Sequence, residues 1–375
     1  SRTLGKLFLL PLVLLASPAC ADPDRSIYEA RQPQIEQAAY QVDVIAKDFE
    51  YPWSLAFLPD GSYLVTEKPG RLIHVSAAGK TEIAGVPEVY YDGQGGLLEV
   101  ALSPDFATTG TLYLSYSGGD DDANATHLMK AVLKDGALTE QTVIFVAKPW
   151  KQTAVHYGGK IGFLPDQSII LTLGDGFRYR EEAQKLDNHL GKIIRIYEDG
   201  VAPGSNPYSH VEGALPEIFT MGHRNVQGLA IDGGRIFAHE HGARGGDEVN
   251  LLLGGTNYGW PVVTTGVDYS GAQITPYKTL EGYQDPLYDW VPSIAPSGLA
   301  VYRGDMFADW NGDLLVGGLA SADLRRLERE NGQIVREWIL LNDREDRIRD
   351  VRVGPDGAIY VLTDSDEGQL LRITL

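Results

Sequence analysis

The sequence predicts an all-β fold: a six-bladed β-propeller with inserted loops forming a site at one end of its channel. Three observations lead there. A unit of apolar run, turn and second apolar run recurs six times between Trp53 and Asp364. The turns are built on Pro, Asp, Asn and Gly, the residues that reverse a strand. Few stretches carry a helical period; "REEAQKLDNHL" (Arg180 to Leu190) is expected to hold a turn or two. Divergent copies of a β-meander at such a period are the mark of a propeller, with a sandwich or a two-domain β protein as the alternative.

The first unit, "WSLAFLPDGSYLVTEKPGRLIHV" (Trp53 to Val75), reads strand, Pro-Asp-Gly turn, strand, Pro-Gly turn, strand. The second is "LLEVALSPDFATTGTLYLSY" (Leu97 to Tyr116), and the third "GKIGFLPDQSIILTLGDG" (Gly159 to Gly176) with "GKIIRIY" (Gly191 to Tyr197) as a later strand. The fourth is "QGLAIDGGRIFAHEHG" (Gln227 to Gly242), the fifth "SGLAVYRGDMFADWNGDLLVGGL" (Ser297 to Leu319) and the sixth "IRDVRVGPDGAIYVLTD" (Ile348 to Asp364). The early strand "YQVDVIAKDF" (Tyr40 to Phe49) is available to pair into the last blade and close the ring, which removes a free edge. Uneven spacing between units calls for insertions at Gly118 to Ala125, Lys148 to Val155, Phe177 to His189, Val201 to Thr220 and Thr264 to Asp289. Such insertions collect at one end of a propeller and build its site.

Ahead of the propeller, expected over residues 41–375, stand a signal peptide (1–21) and a polar lead-in (22–40). The first has a basic start (Arg2, Lys6), an apolar run from Leu7 to Ala16 and small residues after it, the pattern of export to the periplasm. Ala19-Cys20-Ala21 fits an A-x-A cleavage site, and Cys20 is alternatively a lipoprotein acceptor, though without the usual Leu three residues before it. Cys20 is the single cysteine, so stability rests on packing or bound ions rather than a disulfide within the chain. The apolar share of 43% supports a sizeable core, and 19 Tyr against 10 Phe suits strands with one wet face. A net charge of -19 argues against nucleic acid or an anionic membrane surface as partner.

Polar residues gather just before the apolar runs, where each innermost strand meets the channel: Gln94, His156, Arg224 with Asn225, and Arg347 with Arg349. Brought together by the ring, they converge on one mouth. His156, in "VHYGGK", suits a general base, since Gly158 and Gly159 let a ligand approach the backbone; the alternative is a channel histidine bonded to the next blade. Arg224 and Asn225 point to opposite faces on a regular strand, or both into the channel at an irregular entry. Arg347 and Arg349 lie on one face and hold either an anion or salt bridges. In "HEHGARGGDEVN" (His239 to Asn250), His239 and His241 alternate but find no third histidine for zinc. Glu240, Asp247, Glu248 and the loop carbonyls suit a hard cation such as Ca²⁺, or form a solvated acidic turn.

Taken together, "YPWSLAFLPDG", "GQGGLLEVALSPDF", "HYGGKIGFLPD", "LGDGF", "LDNHLGKIIRI", "PEIFTMGHRNVQGLA", "EHGARGGDEVNLLLGGTNYGWP", "GVDYSG", "IAPSGLAVY" and "DRIRDVRVGPDGAIYVLTD" carry a specific likeness. From about Tyr51 onward the chain resembles the soluble sugar dehydrogenases that use pyrroloquinoline quinone (PQQ), the glucose/sorbosone dehydrogenase family, most of all its aldose sugar dehydrogenase branch. The resemblance implies a propeller with PQQ over the channel mouth and an aldose as substrate. It implies that His156 takes the proton of the anomeric hydroxyl while hydride passes to the quinone, yielding a lactone. Electrons then leave to an external quinone or cytochrome. Arg224 matches the arginine that polarises the quinone oxygens. Gln94, Asn225, Arg347 and Arg349 match cofactor ligands; Tyr269 and Ser293 are placed with them. The carbonyls of Gly242 and Ala243 match the holders of a Ca²⁺ bridging to PQQ. Glu248, with the Tyr258 carbonyl, matches a second, structural Ca²⁺ site, and Asp247 is counted among the metal ligands. A cofactor with three carboxylates and an ortho-quinone suits an arginine cluster with a dication.

The chain departs from its glucose-specific relatives at three places. Ala320-Ser321 stands where a lysine follows the "GGL" segment, which removes one expected cofactor contact. Val155 precedes His156 where an acid stands in those relatives, so the imidazole is either less well oriented or oriented by another group. Ala243 replaces a proline found in some relatives, with no consequence for a carbonyl ligand. Two rivals keep the scaffold but change the function: a calcium-dependent propeller hydrolase such as a lactonase, and a non-catalytic propeller that has lost PQQ.

Overall fold

A computed structural model describes residues 32–375. The expected signal segment and the two processing routes at Cys20 lie outside the described residues. Six antiparallel sheets follow one another along the chain, and the first strands of successive sheets touch in a closed ring. These first strands are Pro52–Phe57, Leu97–Leu102, Ile161–Phe163, Val226–Asp232, Pro296–Val301 and Ile348–Val353. Each opens one of the six repeats read from the sequence. The Pro59-Asp60-Gly61 turn shows why the repeats are punctuated as they are. Gly61 takes φ +85°, its N–H donates to the Leu58 carbonyl at 3.0 Å, and the Asp60 carboxylate accepts the Ser62 N–H at 2.9 Å.

Strand Gln41–Phe49 pairs antiparallel with Gly368–Thr374, so the N-terminal strand completes the last blade and closes the ring. The fold begins earlier than the lead-in boundary at residue 40. Gln34–Ile35 forms a fifth, parallel strand on the outside of the fifth blade, against Trp338 and Ile339. Glu36 pins it, 2.7 Å from Arg326, whose guanidinium also meets Asp313 at 2.8 Å and lies over the Trp310 ring. This buried ion cluster ties the lead-in to the blade; a polar segment read by composition alone hides it. The region Arg180–Gln184 is a short 3-10 helix.

The core lies between neighbouring blades. Where the last blade meets the first, Phe49, Leu55, Val65, Leu362 and Leu370 pack together, all at 1% exposure or less. Full burial of such a side chain stabilises by about 1.5–3 kcal/mol. Two of the expected insertions, 177–189 and 264–289, meet over one end of the channel, where the rings of Phe177 and Tyr269 stand 6.5 Å apart. Insertion 201–220 folds instead against the third blade, with the Asn206 amide donating to the Arg195 and Pro216 carbonyls.

Because Phe49 seals the closing contact, Phe49→Ala is expected to lower the unfolding free energy by about 3–5 kcal/mol. Denaturant unfolding measures this; a loss below about 1 kcal/mol would show that closure does not rest on this side chain.

Candidate functional site

His156 sits at the entry to the third blade with φ +57°, an unusual backbone angle for a side-chain-bearing residue. Two contacts fix it there. Its N–H donates to the Gln94 side-chain oxygen at 2.9 Å, and the chain passes so close to Gly174 that a Cβ there would meet the His156 carbonyl at 2.0 Å. The imidazole is buried, and Nδ1 donates to Asp175 Oδ1 at 2.6 Å. Asp175 Oδ1 also accepts the Phe177 N–H at 2.8 Å, and Oδ2 accepts the Trp260 indole N–H at 2.8 Å. With its proton on Nδ1, the ring presents a lone pair at Nε2, which makes no hydrogen bond to a described residue. Burial pulls the imidazole below its ordinary pKa; Asp175 opposes this, while Arg224 adds to it. Burial pushes Asp175 up, but the His156 hydrogen bond and charge, the Phe177 N–H and Arg224 hold it below the usual carboxylate range. The result is a neutral, oriented base beside an ionised carboxylate. The group that orients His156 is therefore Asp175, nineteen residues on in "LGDGF". That stretch was already part of the resemblance, but nothing in its spacing connects it to His156 before the chain folds.

The segment "GHRN" divides its labour. His223 is structural: its ring bonds Thr220 at 2.8 Å and Glu240 at 3.0 Å and stacks on Tyr258. The Glu240 carboxylate also accepts the Arg224 N–H at 2.6 Å, which fixes the backbone of the segment. Arg224 and Asn225 then part. Arg224 lines a cavity of about 240 Å³ with Asp175, Phe177, Trp260, Asp268 and Tyr269. Asn225 lines a second cavity, of about 340 Å³, with Gln94, Trp53, Lys68, Arg347 and Arg349. The larger of the two falls within the range of small-ligand pockets. The Arg224 guanidinium donates to the Gly242 carbonyl at 2.8 Å and to the Tyr269 hydroxyl at 3.4 Å. Tyr269 is exposed.

In the larger cavity the salt-bridge alternative for the arginine pair is realised. Arg347 and Arg349 meet the same carboxylate, Asp364, at 3.3 and 3.2 Å. Lys68 approaches from the first blade, and together with both arginines it helps hold Asp364 below the ordinary carboxylate range against the opposing effect of burial. Three cations around one anion leave the mouth positive in an acidic protein, the polarity of a receptor for a carboxylated ligand. Lys68 was not found in the sequence because "TEKPGR" reads as an ordinary turn.

The expected metal ligands separate into two kinds. Asp247 and Ser293 face each other: the Ser293 hydroxyl donates to Asp247 at 2.6 Å. Asp247 also accepts the N–H groups of Gly242, Ile294 and Ala295 at 2.8, 2.8 and 3.2 Å. Burial pushes Asp247 up to about 6 despite these donors. Both side chains are thus engaged in holding loops together. The Gly242 carbonyl receives Arg224, and Ala243 lines the smaller cavity. Glu248 is buried opposite Glu240 on one side and Asp289 on the other; burial and these two carboxylates push it well above the ordinary range. Beside it, the Asn250 side-chain oxygen is buried without a partner. Paired acids next to an orphaned acceptor have the chemistry of a hard-cation site. Tyr258 borders this region, its hydroxyl donating to the Leu251 carbonyl at 2.7 Å. No three His, Cys, Asp or Glu side chains surround a common metal position among the described residues. A cation here would take carbonyl, amide and solvent oxygens as well. His239 and His241 donate instead to the carbonyls of Gly298 and Pro296.

Residues 49–372 match the family model described as Glucose / Sorbosone dehydrogenase. The chain is 38% identical over 378 residues to the aldose sugar dehydrogenase YliI of Escherichia coli, covering 98% of each protein. The crystal structure of the soluble aldose sugar dehydrogenase of Escherichia coli in its apo form superposes with a TM-score of 0.87 at 38% identity, over 90% of this chain and 99% of that one. The PQQ-bound form of an aldose sugar dehydrogenase from Streptomyces coelicolor superposes with a TM-score of 0.73 at 28% identity, over 90% and 99%.

The hydrogen bond that His156 donates to Asp175 makes a direct prediction for the imidazole. Nitrogen-detected NMR titration of the imidazole is expected to give a pKa below the ordinary 6.5, with the neutral ring protonated on Nδ1. Asp175→Asn removes the one anion that raises it, so the pKa falls further. A rise in that variant would contradict the assignment.

Proposed function

The chain belongs to the glucose/sorbosone dehydrogenase family, and from that membership we propose that it oxidises aldose sugars at the anomeric carbon with PQQ as cofactor. The observation that carries this reading is the neutral imidazole of His156, oriented by Asp175 and tied through its backbone N–H to Gln94, which lines the cationic cavity. Each half answers one chemical need. A sugar hydroxyl must lose a proton as its carbon loses hydride, and a carboxylated cofactor must be held.

The residues fit the cofactor. Arg347 and Arg349 supply charge for carboxylates, and Gln94 and Asn225 supply amides at the wall of the same cavity. The amide oxygens of Gln94 and Asn225 already accept from His156 N–H and Gly158 N–H, which leaves their NH₂ groups for a ligand. PQQ, when bound, supplies the two-electron acceptor for the anomeric hydride. His156 accepts the hydroxyl proton at Nε2, and Asp175 stabilises the imidazolium that results. Arg224 brings a fixed positive charge to the smaller cavity, where it lies over the Trp260 ring. The sugar leaves as the lactone, two electrons and two protons poorer. Calcium is assigned to the Gly242 and Ala243 carbonyls, where it completes the charge balance of a tricarboxylate, and to the Glu248 region as a structural ion. Export to the periplasm, with an external quinone or cytochrome as electron acceptor, completes the reading.

The test is reconstitution. Protein prepared without PQQ is expected to reduce an artificial dye with aldoses only after both PQQ and Ca²⁺ are added, and to lose that activity to a chelator. His156→Asn should lower kcat by about 10²–10⁴-fold while binding of PQQ persists. Undiminished turnover in this variant would remove His156 as the base.

A further inference from the structure

Lys68 closes the β-strand Tyr63–Glu67 of the first blade, and its backbone is tightly fixed. Its carbonyl accepts the Leu97 N–H at 2.8 Å, and its N–H donates to the Tyr51 carbonyl at 3.0 Å. The approach to the second blade requires glycine at position 96, where a Cβ would lie 2.1 Å from the Lys68 carbonyl. The side chain runs from this anchor into the cavity shared with Arg347 and Arg349. There the ammonium has a single hydrogen bond, 3.3 Å to the Gly93 carbonyl. The nearby carboxylate, Asp364, is bonded to both arginines. Desolvation and the charge of Arg349 lower the Lys68 pKa, with Asp364 opposing. Among the described residues no carboxylate lies within ion-pair distance of the ammonium, whose other neighbour is the Tyr51 ring, 6.0 Å from Nζ. Ala320, where the resemblance leads one to expect a lysine, brings no charge; its N–H is tied to the Ile294 carbonyl at 3.0 Å.

We propose that Lys68 is the third cation of the cofactor-carboxylate receptor, supplied from the first blade in place of the lysine absent at position 320. This rests on the PQQ reading above and adds a ligand to it. The mouth then keeps three cations with a different geometry, and a carboxylate of the bound ligand gives the Lys68 ammonium its missing partner.

Equilibrium titration of PQQ into the calcium-loaded protein, followed by quenching of tryptophan fluorescence, tests this, since Trp53 lines the same cavity. Lys68→Met is expected to weaken PQQ binding by roughly 10- to 100-fold, the effect of removing one charge-assisted hydrogen bond. Lys68→Arg should retain most of the affinity, and Lys68→Met with Ala320→Lys should recover part of it. The thermal midpoints without PQQ should match among these proteins, which separates loss of a ligand contact from loss of fold. Parent-like affinity in Lys68→Met overturns the role of Lys68 and leaves the PQQ reading intact. Failure of the unsubstituted protein to bind PQQ overturns both.

Discussion

The Asp175 carboxylate is the interaction on which the site depends. It reaches three elements at once: the imidazole of His156 at the entry to the third blade, the backbone of Phe177 at the start of an insertion, and the indole of Trp260 from the loop between the last two strands of the fourth blade. Its own N–H donates to the Arg224 carbonyl at 2.8 Å. A buried carboxylate without such donors would be costly and would take up a proton. Here the donors keep it ionised, and its charge in turn fixes the tautomer of the base. One group thereby couples the orientation of His156 to the placement of the ring that borders the smaller cavity and of the arginine at its wall.

The second constraint is the sign of the mouth. The chain is strongly acidic, yet Lys68, Arg347 and Arg349 converge around a single anion, Asp364. Holding like charges together requires a scaffold that is closed and rigid, because a loop would let them separate into solvent. The propeller meets this requirement. Arg347 and Arg349 stand at the start of the last blade, Lys68 at a strand end of the first, and the N-terminal strand clamps the last blade shut. Phe49, Leu55, Val65, Leu362 and Leu370 pack apolar surface into that seam, so the electrostatic cost at the mouth is supported by packing in the same pair of blades.

Much of the architecture was legible in the chain because each blade carries its own punctuation. Pro-Asp-Gly turns such as that at Gly61 and the alternating strands after them specify local structure from local sequence. Ring closure by residues 41–49 was also legible, since a propeller needs an edge partner and one unassigned strand remained. The strand Gln34–Ile35 was hidden because its partner is an ion cluster at Arg326, nearly three hundred residues away. The site was legible to the extent that polar residues precede apolar runs. His156, Arg224, Asn225, Arg347 and Arg349 announce themselves in this way. Asp175 and Lys68 do not, because one sits in a glycine turn and the other in a proline turn, and only the ring brings them to His156 and the arginines. Asp247 and Ser293 mark the opposite limit. Residue types suited to a metal or a cofactor are suited equally to holding a loop, and only their hydrogen bonds tell the two apart.

The measurement that tests the account most directly is a crystal structure of the protein grown with PQQ and Ca²⁺. The account predicts the cofactor in the cavity lined by Gln94, Asn225, Arg347 and Arg349, with its carboxylates paired to the cations and His156 Nε2 facing the open space above it. PQQ seated away from that cavity, or His156 turned so that Asp175 no longer receives its Nδ1 proton, would contradict it.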